Sequence, residues 1–360
     1  MEKKLRVLVC GATFGKFYMK AILSSEKLIL AGILTKGSRN SIDIAKKLNV
    51  PLFTSIDDIN EKMFDLACVV VRSTIVGGEG SKLVKSLLTK KINVIQEQPV
   101  HKNEIAYNYR LAKENGVFYG VNSFYPYFET TFRYLELVKE LTKKTRIKSI
   151  ESTCSIQVLY PFLNILSNIF EGMCIFDLDD NILEFNGYKI VSGKIKEIPF
   201  IINIQNQIVP QDPDNYYNWL YKISVVTDSG NLVLTNFDGA IIWEPKIYHE
   251  RAGMDYVIAE NINTKGVGMR IPIMQIMKDN SLENVNSLFC DFYPKCIKNY
   301  VDRFYSNIIE KQVNESEMKK QINVCDLWRE ISNKIGTVEI INPYKINTLI
   351  YQKDKGFSSL

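Results

Sequence analysis

Residues 5–18 read Leu-Arg-Val-Leu-Val-Cys-Gly-Ala-Thr-Phe-Gly-Lys-Phe-Tyr. Six mostly apolar residues run into Gly11, and a helical spacing of apolar side chains (Phe17, Ala21, Ile22) begins at once. A strand that ends on glycine and opens straight into a helix aims backbone N–H groups and a positive dipole end at one spot. That spot suits a pyrophosphate, with Gly11, Thr13, Phe14 and Gly15 around it. The match to the dinucleotide fingerprint is imperfect: Thr13 and Lys16 stand where a strict G-x-G-x-x-G has glycines, and Gly15 comes one place early. Taken alone, the turn fits a nucleotide site or a plain glycine turn equally well.

Moving outward, residues 28–34 form a second apolar run of buried-strand length. The loop Thr35-Lys-Gly-Ser-Arg-Asn40 follows it. An NAD site places a carboxylate at this strand end to hold the ribose 2′-hydroxyl. Here Thr35 takes that place, and no acid appears until Asp43. Lys36, Ser38 and Arg39 offer two cations and a hydroxyl to a 2′-phosphate, which Arg39 can grip bidentately. The loop falls about 20 residues beyond the glycine turn, where ribose recognition is expected, so the cofactor expected is NADPH/NADP+. The alternative is a solvated basic turn.

Further strands are expected over residues 51–53, 65–71, 92–96 and 117–122, with helical stretches at 42–48, 56–63, 81–89 and 104–115. The third long strand ends in Arg72, Ser73 and Thr74. Ligands bind at the carboxyl ends of such strands, so these three are candidate cofactor contacts, although Gly77, Gly78 and Gly80 could equally serve only a tight turn. Glu97 and Gln98 follow the next strand. Six apolar strands alternating with helices specify a Rossmann-type, doubly wound parallel sheet.

From Ser123 the pattern changes. An aromatic cluster, residues 124–128, leads to an amphipathic helix over 130–143, and strand-like runs cover 147–159, 187–191, 200–208, 219–228, 231–237 and 240–243. A largely apolar helix is expected over 162–176, and closing helices over 284–311 and 324–335. Residues 228–231 read as a hairpin turn. Strands in succession without intervening helices predict a large open, mainly antiparallel sheet in an α+β domain. The chain therefore divides into an α/β nucleotide domain, 1–122, and a substrate-binding and dimerisation domain, 123–360. The closing helices of the second can pack back on the first. An open sheet leaves one face to cover, which predicts a homodimer.

Hydrophobic residues make up 46% and charged residues 24% of the 360, the balance of a globular chain with a real core. A net charge of +5, with cations and anions interspersed, does not call for nucleic acid. Seven scattered cysteines without a C-x-x-C pair, and only two histidines, give no metal-ligand spacing. The cysteines predict a reduced, cytoplasmic chain; the N-terminus lacks an apolar signal core, and no apolar run is long enough to span a membrane.

These features together resemble the glucose–fructose oxidoreductase / inositol dehydrogenase superfamily and, within it, the thiazolinyl imine reductases of siderophore biosynthesis. The resemblance rests on residues 11–15, 35–39, 69–80 (Val-Val-Val-Arg-Ser-Thr-Ile-Val-Gly-Gly-Glu-Gly), 96–101 (Gln-Glu-Gln-Pro-Val-His) and 121–127 (Val-Asn-Ser-Phe-Tyr-Pro-Tyr). It implies an NADPH-dependent reductase acting on a thiazoline intermediate tethered to a carrier domain of a nonribosomal peptide synthetase. Hydride would add to the carbon of C=N and a proton to the nitrogen, giving a thiazolidine, as in pyochelin-like and yersiniabactin-like pathways.

Sugar-oxidising members carry a Glu-Lys-Pro motif whose lysine moves the proton. Here the motif is Glu97-Gln98-Pro99, and an amide cannot act as an acid at neutral pH. A C=N bond asks for less help, and one weak general acid contributes about 10²–10⁴-fold. Tyr125, matching the tyrosine of the family's Phe-Tyr-Pro stretch, is the first candidate; its alternative is an aromatic packed at the domain junction. His101 is the second candidate, able to donate a proton near neutral pH. His249 is a weaker candidate on the substrate side, and Glu97 is expected to orient the nicotinamide ribose. Two other functions remain open at this point, an NADP-dependent sugar or carbonyl dehydrogenase and a non-catalytic NADP-binding sensor.

Overall fold

The computed structural model describes residues 3–71, 78–170, 176–214, 217–247, 271–279, 284–312, 315–342, 349–352 and 356–359. Strands β1 (Leu5–Cys10), β2 (Leu28–Leu34), β3 (Leu52–Phe53), β4 (Leu66–Val69), β5 (Asn93–Glu97) and β6 (Tyr119–Asn122) make one parallel sheet in the order β3-β2-β1-β4-β5-β6. Helices α1 (Gly15–Leu23), α2 (Arg39–Leu48), α3 (Glu79–Thr89) and α4 (Lys102–Glu114) connect them. Both faces of this sheet are covered, so Val7 to Cys10 and all of β4 are buried; this is why they read as unbroken apolar runs. The strand order reverses between β1 and β4, which puts a ligand crevice at their carboxyl ends.

One expected helix is absent. Residues 56–63 contain only a single 3-10 turn, Ile56–Asp58. Ser55 Oγ accepts from Asp57 N at 3.1 Å and Asn60 Oδ1 from Lys62 N at 3.0 Å, so short polar side chains take donors that a helix would need.

The second sheet follows α5 (Glu129–Thr142). Its strands are β7 (Ile147–Ser155), β8 (Phe176–Leu178), β9 (Leu183–Phe185), β10 (Tyr188–Ile195), β11 (Ile198–Gln205), β13 (Tyr221–Thr227), β14 (Gly230–Leu234), β15 (Ile241–Pro245) and β16 (Gln275–Lys278); β12 (Gln207–Ile208) lies outside it and pairs with Glu339–Ile340. The order is β16-β15-β14-β13-β7-β11-β10-β8, with β9 also on β10. Only β7 and β11 run parallel among these neighbours, so the sheet is mixed and mainly antiparallel. Along β13, Tyr221, Ile223, Val225 and Thr227 turn inward and Lys222 outward, the alternation of a sheet with one covered face. The expected turn at 228–231 joins β13 to β14, with Val226 opposite Asn231.

The apolar stretch after β7 divides differently from its sequence reading. The strand stops at Ser155, helix α6 occupies Leu159–Ile169, and Phe176 already belongs to β8. Ten of the eleven residues of α6 are buried, and a helix covered on all sides leaves no periodic stripe to mark its ends.

The chain then returns to the first sheet through a single turn, α7 (Val285–Ser287), a π-helical turn (Leu288–Phe292), α8 (Tyr293–Glu310) and α9 (Glu315–Ile335). Tyr300 donates to Val121 O and Tyr305 to Lys3 O, both at 3.0 Å, and Ser25 Oγ donates to Asp302 at 2.7 Å. A Cβ at Gly120 would lie 2.8 Å from both the Phe304 ring and the Tyr300 hydroxyl, so only glycine lets α8 close on β6. Among the described residues no helix is long and apolar enough to cross a membrane, and no cluster of His, Cys, Asp and Glu could hold a metal.

Candidate active site

The β1–α1 turn has the build of a phosphate cradle. Gly11 sits at φ +100°, and a Cβ there would lie 2.5 Å from Val70 O, so the position is open only to glycine. Its N–H is tied to Leu34 O at 2.9 Å, which fixes the turn against β2. A Cβ on Gly15 would stand 3.2 Å from Val9 Cγ1, so this glycine brings helix and strand together, the task of the fingerprint's third glycine performed one place early. Thr13 is exposed in the turn between them. The first turn of α1 has no side-chain cap and no acid, which leaves its N–H groups and dipole to an anion.

At the end of β2, the Thr35 hydroxyl accepts from Gly37 N at 3.2 Å and donates to Ser41 Oγ at 3.0 Å. Ser38 caps α2 by accepting from Ser41 N at 3.3 Å. Thr35 and Ser38 thus shape the loop, and the N-terminus of α2 opens beside it. Arg39 is exposed and has no ion-pair partner among the described residues. The Lys36 ammonium is 3.7 Å from Glu79, a surface pair that costs little to rearrange. Two exposed cations stand beside this helix N-terminus, a setting that suits an anion.

The carboxyl ends of β5 and β6 carry a network that the sequence did not announce. Tyr18 of α1 donates to Glu97 Oε2, and Asn122 Nδ2 donates to the Tyr18 hydroxyl. Burial pushes the Glu97 carboxyl up to about 8 against the opposing hydrogen bonds from Tyr18 and the Gln98 backbone. Tyr18 itself is driven well above the ordinary phenol range by burial and by Glu97. Gln98 precedes a cis peptide to Pro99. Its Oε1, together with Asn122 Oδ1 and Ser123 Oγ, is buried without a hydrogen-bond partner among the described residues. Unpaired polar atoms of this kind are costly unless a ligand meets them. A nicotinamide carboxamide and its ribose bring the donors and acceptors they lack, so the residues fit the cofactor.

Tyr125 lies in an aromatic junction joined to the glycine turn. The Phe14 ring packs on Phe124 at 5.9 Å, and Phe124 on Tyr125 at 4.8 Å. Phe128, Tyr221 and Tyr293 complete the cluster; all three are buried, whereas Tyr125 keeps part of its surface open. Burial, with Tyr293 and Tyr221 close by, holds the Tyr125 phenol well above its usual range, so it carries its proton at neutral pH. Tyr293 comes from α8, far along the chain, and no local signal marked it.

His101 is the N-cap of α4, where Nδ1 accepts from Asn103 N at 3.3 Å. A neutral ring capped in this way carries its proton on Nε2. Arg72, Ser73, Thr74 and His249 lie outside the described residues. The structure thus joins Phe14 of the glycine turn to Tyr125 through the Phe124 ring, ties Glu97 to Tyr18 of α1 with Gln98 beside it, sets Lys36, Ser38 and Arg39 at the end of β2, and gives His101 a capping task at the start of α4.

Residues 5–123 match the GFO_IDH_MocA oxidoreductase family with its NAD-binding Rossmann fold. Residues 145–244 match the C-terminal domain of Irp3-like thiazolinyl imine reductases. No curated protein matches the chain. Among solved structures, it is similar to a dehydrogenase from Chromobacterium violaceum, at 10% identity over 92% of this chain and 95% of that one, TM-score 0.67. It is similar to KijD10, a 3-ketoreductase from Actinomadura kijaniata solved with NADP, at 10% identity over 95% and 100%, TM-score 0.65. It is also similar to GenD2 from gentamicin A biosynthesis, solved with NAD, at 11% identity over 91% and 93%, TM-score 0.63. At these identities the likeness is one of fold.

Proposed function

Because the chain belongs to the GFO_IDH_MocA oxidoreductases and carries an Irp3-like C-terminal domain, we propose that it uses NADPH to reduce the C=N bond of a carrier-tethered thiazoline to a thiazolidine during nonribosomal siderophore synthesis. When bound, the cofactor supplies the hydride. The observation that carries the reading is the Glu97-Gln98-Pro99 turn, where an amide with its oxygen buried stands in place of a titratable lysine. Alcohol oxidation needs a base at that point; addition to a C=N bond needs only an acid that still holds its proton.

Tyr125 fills that role. Its phenol is protonated at neutral pH, its side chain is partly exposed, and it is backed by aromatic rings that keep water from competing for the imine nitrogen. Hydride arrival at the ring carbon raises the basicity of the nitrogen, and the phenol proton moves to it as that charge develops. Glu97, neutral below about pH 8, orients the ribose end of the site through Tyr18 and Asn122. Arg39 and Lys36 hold the 2′-phosphate and set NADPH above NADH. Two copies pair through the open face of the second sheet in this reading, and a monomer by sedimentation would remove that part of it.

The reading is tested by following NADPH oxidation with a soluble thiazoline, compared with sugars and ketones. Turnover of the cyclic imine alone is expected. Reduction of ketones with an inert thiazoline would overturn the assignment.

A further inference from the structure

A groove of about 1480 Å³ opens on the helical side of the second domain, away from the glycine turn. Its volume exceeds that of pockets built for small molecules, about 300–1,000 Å³. Phe132, Leu135, Lys139 and Thr142 line it at helical spacing, so it runs along α5 for about 15 Å at 1.5 Å per residue. Residues of α6, α8 and α9 form the other wall, including Asn164, Arg303 and Gln321. The floor sets Pro126, Tyr127, Ile147, Ile169 and Ile198 among the buried polar side chains of Ser123, Asn164 and Gln321, and Phe132 stands 51% exposed at its edge.

The rim is cationic. Seven lysines and arginines line the groove against the three carboxylates Glu136, Glu197 and Glu317. Lys139 and Lys144 are exposed and have no ion-pair partner among the described residues. Arg146 and Lys148 share one carboxylate, Asp228, at 3.3 and 3.8 Å. A trough of two to three helical turns, with apolar side chains along its floor and positive charge at the rim, is complementary to an acidic amphipathic helix laid along it. Nucleic acid fits it less well, because the interspersed carboxylates repel a phosphate backbone and the apolar side chains of the floor give that backbone nothing to bury.

One end of the groove lies beside the segment that follows β6. Ser123 and Pro126 line it, and they flank the segment that holds Tyr125. Resting on the imine-reductase reading, we propose that this groove is the docking surface for the carrier domain, which lays an acidic helix along α5 and leaves its phosphopantetheine arm to enter beside Pro126. Charges at the rim act chiefly on encounter, so they govern kcat/KM for the tethered substrate and leave a free one untouched.

The test compares wild type with Lys139→Glu/Lys144→Glu, two exposed positions outside the crevice. The two substrates are a soluble thiazoline and the same ring loaded on a phosphopantetheinylated carrier domain. At least a tenfold loss of kcat/KM on the carrier-bound substrate is expected, with the soluble thiazoline unchanged and the loss for wild type reproduced by added salt. Equal kcat/KM of variant and wild type on the carrier-bound ring, with soluble turnover intact, overturns the docking proposal alone. Failure of wild type on both substrates overturns the imine reading and the docking proposal with it. A short DNA duplex that competes as well as the carrier domain would assign the groove to nucleic acid and likewise overturn the proposal.

Discussion

Tyr125 and Glu97 are acids that burial has disarmed in opposite degrees. Burial holds the phenol well above its ordinary range, whereas the carboxyl, at about 8, sits at the edge of the working range. A donor to a C=N nitrogen needs the first property, since it must keep its proton until hydride arrives. Tyr125→Phe removes the hydroxyl and keeps the ring contacts with Phe124 and Phe128. Its kcat should fall about 10²-fold or more, with the KM for NADPH unchanged in steady-state assays. An unaltered kcat would take Tyr125 out of the mechanism. Among the described cysteines, Cys10, Cys68 and Cys154 are sealed in strands with their thiols raised by burial, Cys10 to about 12; they serve as small apolar side chains.

The connection from β2 to α2 shows how one short element divides its work. Thr35 and Ser38 spend their hydroxyls on the loop and the helix cap, which holds the α2 N-terminus in place. Lys36 and Arg39 are left facing solvent. Arg39→Ala should therefore lower the preference for NADPH over NADH by about tenfold, the scale of one hydrogen bond to a charged group, without loss of fold. The ratio of kcat/KM for the two cofactors measures it, and an unchanged ratio would assign the phosphate to other groups. The β6–α8 contact is decided by Gly120, whose missing Cβ lets Tyr300 reach Val121 O. α8 in turn delivers Tyr293 to Tyr125, so the close approach of α8 at Gly120 helps position the candidate acid.

For the whole molecule, Glu97 couples stability to pH. The folded chain holds a proton at this site up to about 8, while the unfolded chain releases it above the ordinary carboxyl value of 4.5. Stability from this site is therefore full below 4.5 and declines as pH rises through the interval to about 8, by at most about 1.4 kcal/mol per pH unit for one proton. Glu97→Gln should flatten that decline in denaturant titrations across the interval. An identical pH slope in the variant would show that Glu97 ionises normally. Asp65 works the other way: burial opposes its charge, but the hydrogen bonds from Arg6 prevail and hold it below the ordinary value, so its contribution is lost on acidification.

The first sheet was legible because its information is local. Strands buried on both faces are written as continuous apolar runs, and the β1 turn, its glycines and the basic loop after β2 lie within forty residues of the start. Gln98 and Tyr125 could be picked out by the same local reading. The short strands β8, β9 and β16 and the true ends of α6 could not, because edge strands of three or four residues and a fully buried helix leave no period in the sequence. Nor could the partners of the candidate site. Tyr18 meets Glu97 across 79 positions and Asn122 across 104, Tyr293 reaches Tyr125 only because α8 folds back on β6, and the cationic groove exists only where α5 faces α6, α8 and α9. Sequence pattern fixes what each segment becomes, since propensity and burial period act between near neighbours; which distant side chains share a dry pocket, and so which of them keep their protons, is set by packing between elements and had to come from the tertiary structure.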